Sequence, residues 1–497
     1  MSRVQNTVLS KPQEECVNFD SGDLLVKGVA GSGKSLVVMR RALRLYAKNK
    51  GTKSIKLFTY ANSLVKYTSD LFESQIPGNS IEVLTVDSYC LKVYYRMTGK
   101  SIRFPGQYCK YGYDYTMLGD DEYPVWISAA VQEHQRRSGL NATVYKRDNE
   151  FWKAELIWIR EKCLKTREDY INADRKGRGS SVRLRNSDKN IVWEVYEIFE
   201  NRLKREFRTT WEDLYLFMND NLSRIPNNIK VDYIFVDEAQ DMTLAKMKFL
   251  KALTRESITI AADLAQKIYK TSFTWKEVGI DIKGRSSKEL LQSFRCTRQI
   301  VELAEDLMRA NRENSDVNDE YTSQVLPEAV GNKPSVYMFS SVLDEKEYMA
   351  RYIQKILEGD PEHVIGIICR TKTEKNDIKS FLESRVHCQD VDNTKADKAN
   401  WNLLQGGVKL ITCHSSKGLE FDTVIIPDFN DTSFPLDKSL KNVDEEQKNE
   451  VLAVERSLLY VAMTRARQEL ALFCIKGVQS RFLSEFKKEH YEVKING

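Results

Sequence analysis

The chain is poor in the residues that build metal centres and covalent frameworks. Its nine cysteines are an odd number and contain no C-x-x-C pair. That excludes a disulfide framework and a zinc site, and it points to a reducing cytoplasm. There are only five histidines, none paired at metal-ligand spacing. No apolar run is long enough to cross a bilayer, and residues 1–6 lack an apolar signal region, so no membrane partner is expected. No internal repeat or low-complexity tract is visible. The acids form no nuclease-like cluster with lysines. A net charge of +5 is too small to identify a nucleic-acid partner, so the placement of charge matters more than its sum. What remains is an ordinary soluble balance, 41% hydrophobic and 30% charged over 497 residues. That length suits roughly two to four domains.

The strongest positive feature is Gly28-Val29-Ala30-Gly31-Ser32-Gly33-Lys34-Ser35. It matches G-x-x-x-x-G-K-[ST], the phosphate-cradling P-loop. Leu24-Leu25-Val26 before it reads as a strand, and 36–43 after it has helical periodicity. Gly28, Gly31 and Gly33 let the backbone turn its N–H groups inward. A helix N-terminus adds positive potential where the phosphates of ATP sit. Lys34 and Ser32 belong to the same cradle, and the Ser35 hydroxyl suits Mg²⁺.

Residues 1–95 alternate strand and helix patterns, with strands expected at 55–60 and 81–86. Over 96–206 long charged amphipathic helices take over, for example 149–165 and 190–208, and read as a helical insertion. Strand patterns return at 231–236 and 258–262, placing 207–285 back in the first α/β unit. A second α/β unit spans 286–497, with strands expected at 335–339, 364–368, 408–412, 423–426 and 469–473. The stretches 390–400 and 430–450 read as loops. The fold class is therefore α/β with parallel sheets and a helical insertion in the first unit.

Ile234-Phe235-Val236-Asp237-Glu238 is an apolar strand ending in two acids. Asp237 there can hold Mg²⁺, and Glu238 can orient and deprotonate a water that attacks the γ-phosphate. A solvated acidic turn would look the same in isolation; the upstream P-loop favours the chemical reading. Gln240 and Gln266 follow the two returning strands, where a γ-phosphate sensor belongs. Arg295 and Arg465 come from the second unit and can stabilise phosphoryl transfer when two domains close. Tyr60, Tyr89, Tyr269 and Trp275 follow expected strands. They suit either base stacking or ordinary packing. The basic stretch 175–185 suits either phosphate contacts or a solvated loop.

Taken in order, the motifs are Gln13, the P-loop, Thr59-Tyr60-Ala61-Asn62, Asp237-Glu238-Ala239-Gln240-Asp241, 263–269, Ser293-Phe294-Arg295, 412–422 and 455–466. The set resembles the UvrD/Rep-like superfamily 1 DNA helicases across nearly the whole chain. The resemblance implies two RecA-like P-loop NTPase domains with ATP and Mg²⁺ between them. It implies that Gln13 reads the adenine, Phe294 stacks on it and Glu420 binds the ribose. Lys34 and Ser35 would hold phosphate and metal, with Asp237 the metal carboxylate and Glu238 the base. Gln266 would sense the γ-phosphate, and Arg295 and Arg465 would be arginine fingers. Tyr60, Asn62, Tyr269 and His414 fall on single-stranded DNA contact positions.

The chain departs from the family pattern in three places. Asp87 stands where a His is usual. Thr271 stands where a stacking Trp is expected, with Trp275 as the substitute. The stretch 384–406 is short where the large helicases carry an insertion. The first insertion looks like that of a compact branch whose pattern includes Tyr170, 175–179 and Trp193. The expected activity is an ATP-driven 3′–5′ motor on single-stranded or tailed duplex DNA. The alternatives are a DNA-sensing regulatory subunit with a nuclease partner protein, and an RNA motor.

Overall fold

The structure is a computed structural model. It describes residues 8–496 apart from 21, 30, 60–61, 106–112, 174, 176–183, 264–272, 281–285, 314–324, 393–404 and 441–444. Among the described residues no helix is long and apolar enough to cross a membrane, and the described cysteines are free thiols.

Aliphatic runs buried on both faces make central parallel strands. Leu24–Gly28, Ile55–Thr59 and Val231–Val236 are such runs. They enter a six-stranded sheet in the order Glu82–Thr85, Ile55–Thr59, Val231–Val236, Thr254–Ala262, Leu24–Gly28, Ser287–Leu290. Every pairing in it is parallel. The carboxyl ends of the strands therefore share one edge, where open α/β sheets place their ligands. Leu25, Phe58, Ile234, Val236, Ile258 and Ile260 anchor the core on one face of this sheet.

A second, seven-stranded parallel sheet runs Cys388–Asp390, Gly407–Thr412, Val364–Cys369, Phe421–Ile426, Ala466–Ile475, Ser335–Phe339, Glu492–Asn496. Its five central strands are those expected from sequence, each within a few residues. The helix Arg298–Glu313 packs on its core through Ile300, Leu303, Ala304 and Leu307.

Three boundaries differ from expectation. Ser287–Leu290, expected in the second unit, pairs with Leu25–Gly28 as the outer strand of the first sheet. The chain then crosses to the second unit over 291–297. The stretch 430–450 is not one loop: helices occupy Asp437–Leu440 and Glu445–Met463. The insertion is not purely helical either. Ser101–Arg103 and Tyr113–Met117 pair with each other, and Arg208–Thr209 joins them in a small parallel sheet. Ile102 and Met117 pack into the first core. The insertion's own core begins at Leu118 and runs to Leu203, built on Trp126, Trp152, Trp158, Tyr170, Trp193 and Phe199.

Candidate active site

The P-loop leaves Leu24–Gly28 and enters the helix Lys34–Lys48. Gly31 and Gly33 hold φ of 73° and 79°, conformations that favour glycine. A Cβ on Gly28 would meet Ser32 Oγ at 2.5 Å, and one on Gly31 would meet Arg295 Cβ and Ser293 Oγ at 2.6 Å. The loop is thus packed to its backbone on both sides. Lys34 is buried and folds back into the loop. Its Nζ donates to Gly28 O at 2.9 Å and Val29 O at 2.8 Å, and pairs with Asp263 at 3.1 Å.

Gln13 closes the loop from outside. Its Nε2 donates to Ser32 O at 2.9 Å, and its Oε1 accepts from Ser10 N at 2.9 Å, completing the cap of helix Lys11–Val17. Phe294 N donates to Gly31 O at 2.9 Å, leaving the Phe294 ring 54% exposed beside the cradle.

The strand Val231–Val236 delivers the acids. Ser35 Oγ donates to Asp237 Oδ2 at 2.6 Å. Burial first, and the neighbouring Glu238 charge second, push the Asp237 carboxyl up to about 6. Glu238 has φ of 54°, a left-handed conformation rare outside glycine. Burial works to raise its pKa, but Lys34, Lys417 and Arg465, together with a hydrogen bond from Gln240, hold it below the usual range. Gln240 is buried; its Nε2 donates to Glu238, and its Oε1 accepts from Asp263 N at 2.9 Å. Gln240 therefore braces the acid rather than lying open to a ligand.

The second unit meets this edge with charge. Arg295, on the crossover after Ser287–Leu290, pairs with Glu420 at 2.8 Å. Arg465 is 1% exposed, and its Nε donates to Val461 O at 2.9 Å. Burial first, then the Arg295 charge, lower its pKa to about 10, against the pull of Glu238. Lys417 Nζ lies 2.7 Å from both carboxylate oxygens of Asp241.

Sequence reasoning assigned no role to Lys417, Asp241 or Asp263. Their motifs were visible, but each pairing joins segments far apart in the chain. Tyr60, Gln266, Tyr269 and Thr271 lie outside the described residues, as does the side chain of Asn62. His414 is exposed on the turn after Gly407–Thr412. Trp275 is half-buried, packed edge-on against Phe273 at 5.5 Å.

Two residues take the packing alternative. Tyr89 is 2% exposed, and its hydroxyl donates to Ile229 O. Arg175 pairs with buried Glu155 at 2.7 Å and lies over the Trp158 ring at 4.9 Å. It belongs to the insertion's core rather than to a phosphate-binding surface. Residues 176–183 lie outside the described residues. Asp87, at the family's usual His position, pairs with Lys246 at 2.8 Å and accepts from the Tyr215 hydroxyl at 2.6 Å.

The donor set fits a magnesium nucleotide. Ser32 Oγ and Ser293 Oγ are buried beside the cradle with no hydrogen-bond partner among the described residues, and phosphate oxygens would supply one. Ser35 and Asp237 offer a hydroxyl and a carboxylate, the hard oxygen ligands Mg²⁺ takes.

Two parallel sheets, with a P-loop on one and arginines converging from the other unit, define a P-loop NTPase of the two-domain RecA-like type. Motif order narrows the class further. The UvrD/REP helicase N-terminal domain matches residues 9–275, and the UvrD-like helicase C-terminal domain matches 392–477. The chain belongs to the UvrD/Rep-like superfamily 1 helicases. A probable DNA helicase of Mycoplasma pneumoniae is 23% identical over 98% of this chain and 88% of its own length. The ATP-dependent DNA helicase PcrA of Staphylococcus epidermidis is 22% identical over 76% of this chain but 50% of its own. The ATP-dependent DNA helicase Rep of Buchnera aphidicola is 26% identical over 46% of this chain and 33% of its own. The chain thus spans most of the first relative and half or less of the other two.

Proposed function

We propose that this chain is an ATP-dependent translocase and helicase on single-stranded or tailed duplex DNA, moving 3′ to 5′. The observation that supports it best is the meeting of Ser35, Asp237 and Glu238 with Arg295, Lys417 and Arg465 at one edge of the first sheet. Hydrolysis there is linked to the position of the second domain, which is what a motor needs.

In this reading Gly28, Gly31, Ser32, Gly33 and Lys34 receive the phosphates of ATP. Gln13 reads the adenine, Phe294 stacks on it, and Glu420 holds the ribose. Ser35 and Asp237 would hold Mg²⁺, which neutralises phosphate charge when bound. Glu238 is held ionised by the surrounding cations and takes the proton of the attacking water as the bond to the γ-phosphorus forms and the β–γ bridge breaks. Gln266 senses the γ-phosphate beside that water. Arg295 and Arg465 offset the charge that develops. Tyr60, Asn62, Tyr269, Trp275 and His414 carry the strand; the polarity follows the family's.

Wild type and Glu238→Gln on duplexes bearing 3′ or 5′ single-stranded tails give the test. Wild type should hydrolyse ATP faster with single-stranded DNA and unwind 3′-tailed duplexes. Glu238→Gln should lose about 10²–10⁴-fold in kcat while still binding ATP. Folded wild type that ignores DNA sinks the motor. Stimulation by matched RNA instead favours the RNA reading. Unwinding by the protein alone counts against the regulatory-subunit reading with its nuclease partner.

A further inference from the structure

The turn after Gly407–Thr412 reaches the first domain through a buried charge, Lys417, one of the cations gathered around Glu238. Its backbone is compact. Ser415 N and Ser416 N both donate to Thr412 O at 3.0 Å, Ser416 Oγ donates to Cys413 O at 2.8 Å, and Leu419 N donates to Ser416 O at 3.1 Å. Lys417 projects from this turn to Asp241, and both side chains are more than nine-tenths buried. Asp241 in turn closes the short helix Ala239–Asp241, its N–H donating to Glu238 O at 3.1 Å. Ser35 and Gln240 tie the same segment to the first domain. Lys417 ties it to the second. A residue in the left-handed region, as Glu238 is, persists only where its surroundings over-determine it. On the same turn, three residues before Lys417, stands the exposed His414.

We propose that Lys417 and Asp241 are a positioning latch: through this pair the second domain grips the turn that carries Glu238, and a DNA strand at His414 acts on hydrolysis by way of it. The inference rests on the motor reading above. The physical warrant is contiguity. A compact turn moves as a unit, and a buried ion pair resists separation because each partner would be left unpaired out of water. Displacement at His414 is therefore transmitted to Asp241, and from Asp241 to the adjoining base. Lys417 itself need not touch the substrate.

The test is steady-state ATP hydrolysis by the full chain, with and without oligothymidylate, for wild type, Lys417→Gln, Asp241→Asn, the double variant and Lys417→Arg. ATP affinity and thermal melting check each variant's fold. The latch predicts that each single variant loses about tenfold or more of its DNA stimulation, a coupling of ordinary allosteric size. The KM for ATP should move much less than kcat. The double variant should be no worse than the poorer single one, because both break the same pair. Lys417→Arg, which keeps the charge, should recover part of the stimulation; recovery there also covers the case in which a neutral variant fails to fold. A stimulated wild type whose Lys417→Gln variant keeps its stimulation overturns the latch alone. Equal losses with and without DNA, or additive losses in the double variant, overturn it as well and leave an interface ion pair. An unstimulated wild type removes the motor reading together with the latch.

Discussion

In the insertion, the Arg160 guanidinium lies between Glu200 and Asp213, over the faces of Tyr196 and Phe199 at 5.1 and 5.0 Å. In the cleft, Lys417 reaches Asp241 from the opposite domain, and Lys34 is held by two loop carbonyls and Asp263. Both regions bury cations almost fully, yet the partners differ in kind. Those of Arg160 all belong to the first domain, so the charge is enclosed and fixed. Those of Lys34 and Lys417 sit where, in the proposed motor, an arriving phosphate or a domain movement would replace them. Burial alone therefore does not distinguish a structural charge from a working one; the ability of the partner to leave does.

Rate and stability should divide along that line. The largest effect is expected at Arg465. In Arg465→Ala the kcat for DNA-stimulated ATP hydrolysis should fall by roughly 10³-fold or more, the scale of an arginine finger, with ATP still bound. A loss under tenfold would put Arg465 with the fixed charges. Next comes Arg160→Met, which strands two carboxylates near the insertion core. It should cost about 3–5 kcal/mol in denaturant titration while leaving kcat per folded molecule unchanged. A slowed but fully stable protein would break the distinction from the other side.

A further effect concerns acids in the first turns of two helices that follow strands of the second sheet, Val342–Gly359 and Lys372–Leu382. Burial raises Glu345 to about 7, and burial with the Asp428 charge raises Glu374 to about 8. Both are protonated longer in the folded chain than in the unfolded one, so their contribution is fully present below about pH 4.5. It is lost as pH rises through 7–8, because the unfolded state ionises first. Stability should fall between pH 5 and 8 as the unfolded chain gives up these two protons first. Glu345→Gln with Glu374→Gln should flatten that slope, and a slope unchanged in the double variant would mean that both acids ionise freely.

The P-loop was legible because its signal is local: three glycines, a lysine and two serines in eight residues between a strand and a helix. The central strands were legible for a related reason, since runs such as Val364-Ile365-Gly366-Ile367-Ile368 are buried on both faces. Three of the four outer strands were not, Cys388–Asp390 among them. Ser287-Lys288-Glu289-Leu290 and Glu492-Val493-Lys494-Ile495-Asn496 mix charge with apolar residues, as strands with one open flank do. The start of helix Glu445–Met463 hid in an acidic run that reads equally as loop. Arg175 read as a candidate phosphate contact because nothing near it in sequence announces Glu155 and Trp158. The cleft pairs were hidden by separation: Asp241 and Lys417 stand 176 positions apart, and only the closed fold brings them together.

The crossover at 291–297 carries Phe294 and Arg295, and Phe294 N is tied to Gly31 O. A rigid body turning about a short pivot moves each atom in proportion to its distance from the axis. Arg295 rides almost on the pivot, with its Cβ against Gly31; Lys417 and Arg465 ride on the swinging arm. Arg295 should then remain beside the phosphates through a whole cycle and serve as a fulcrum. The hydrolytic step would be timed by the cations with the longer lever.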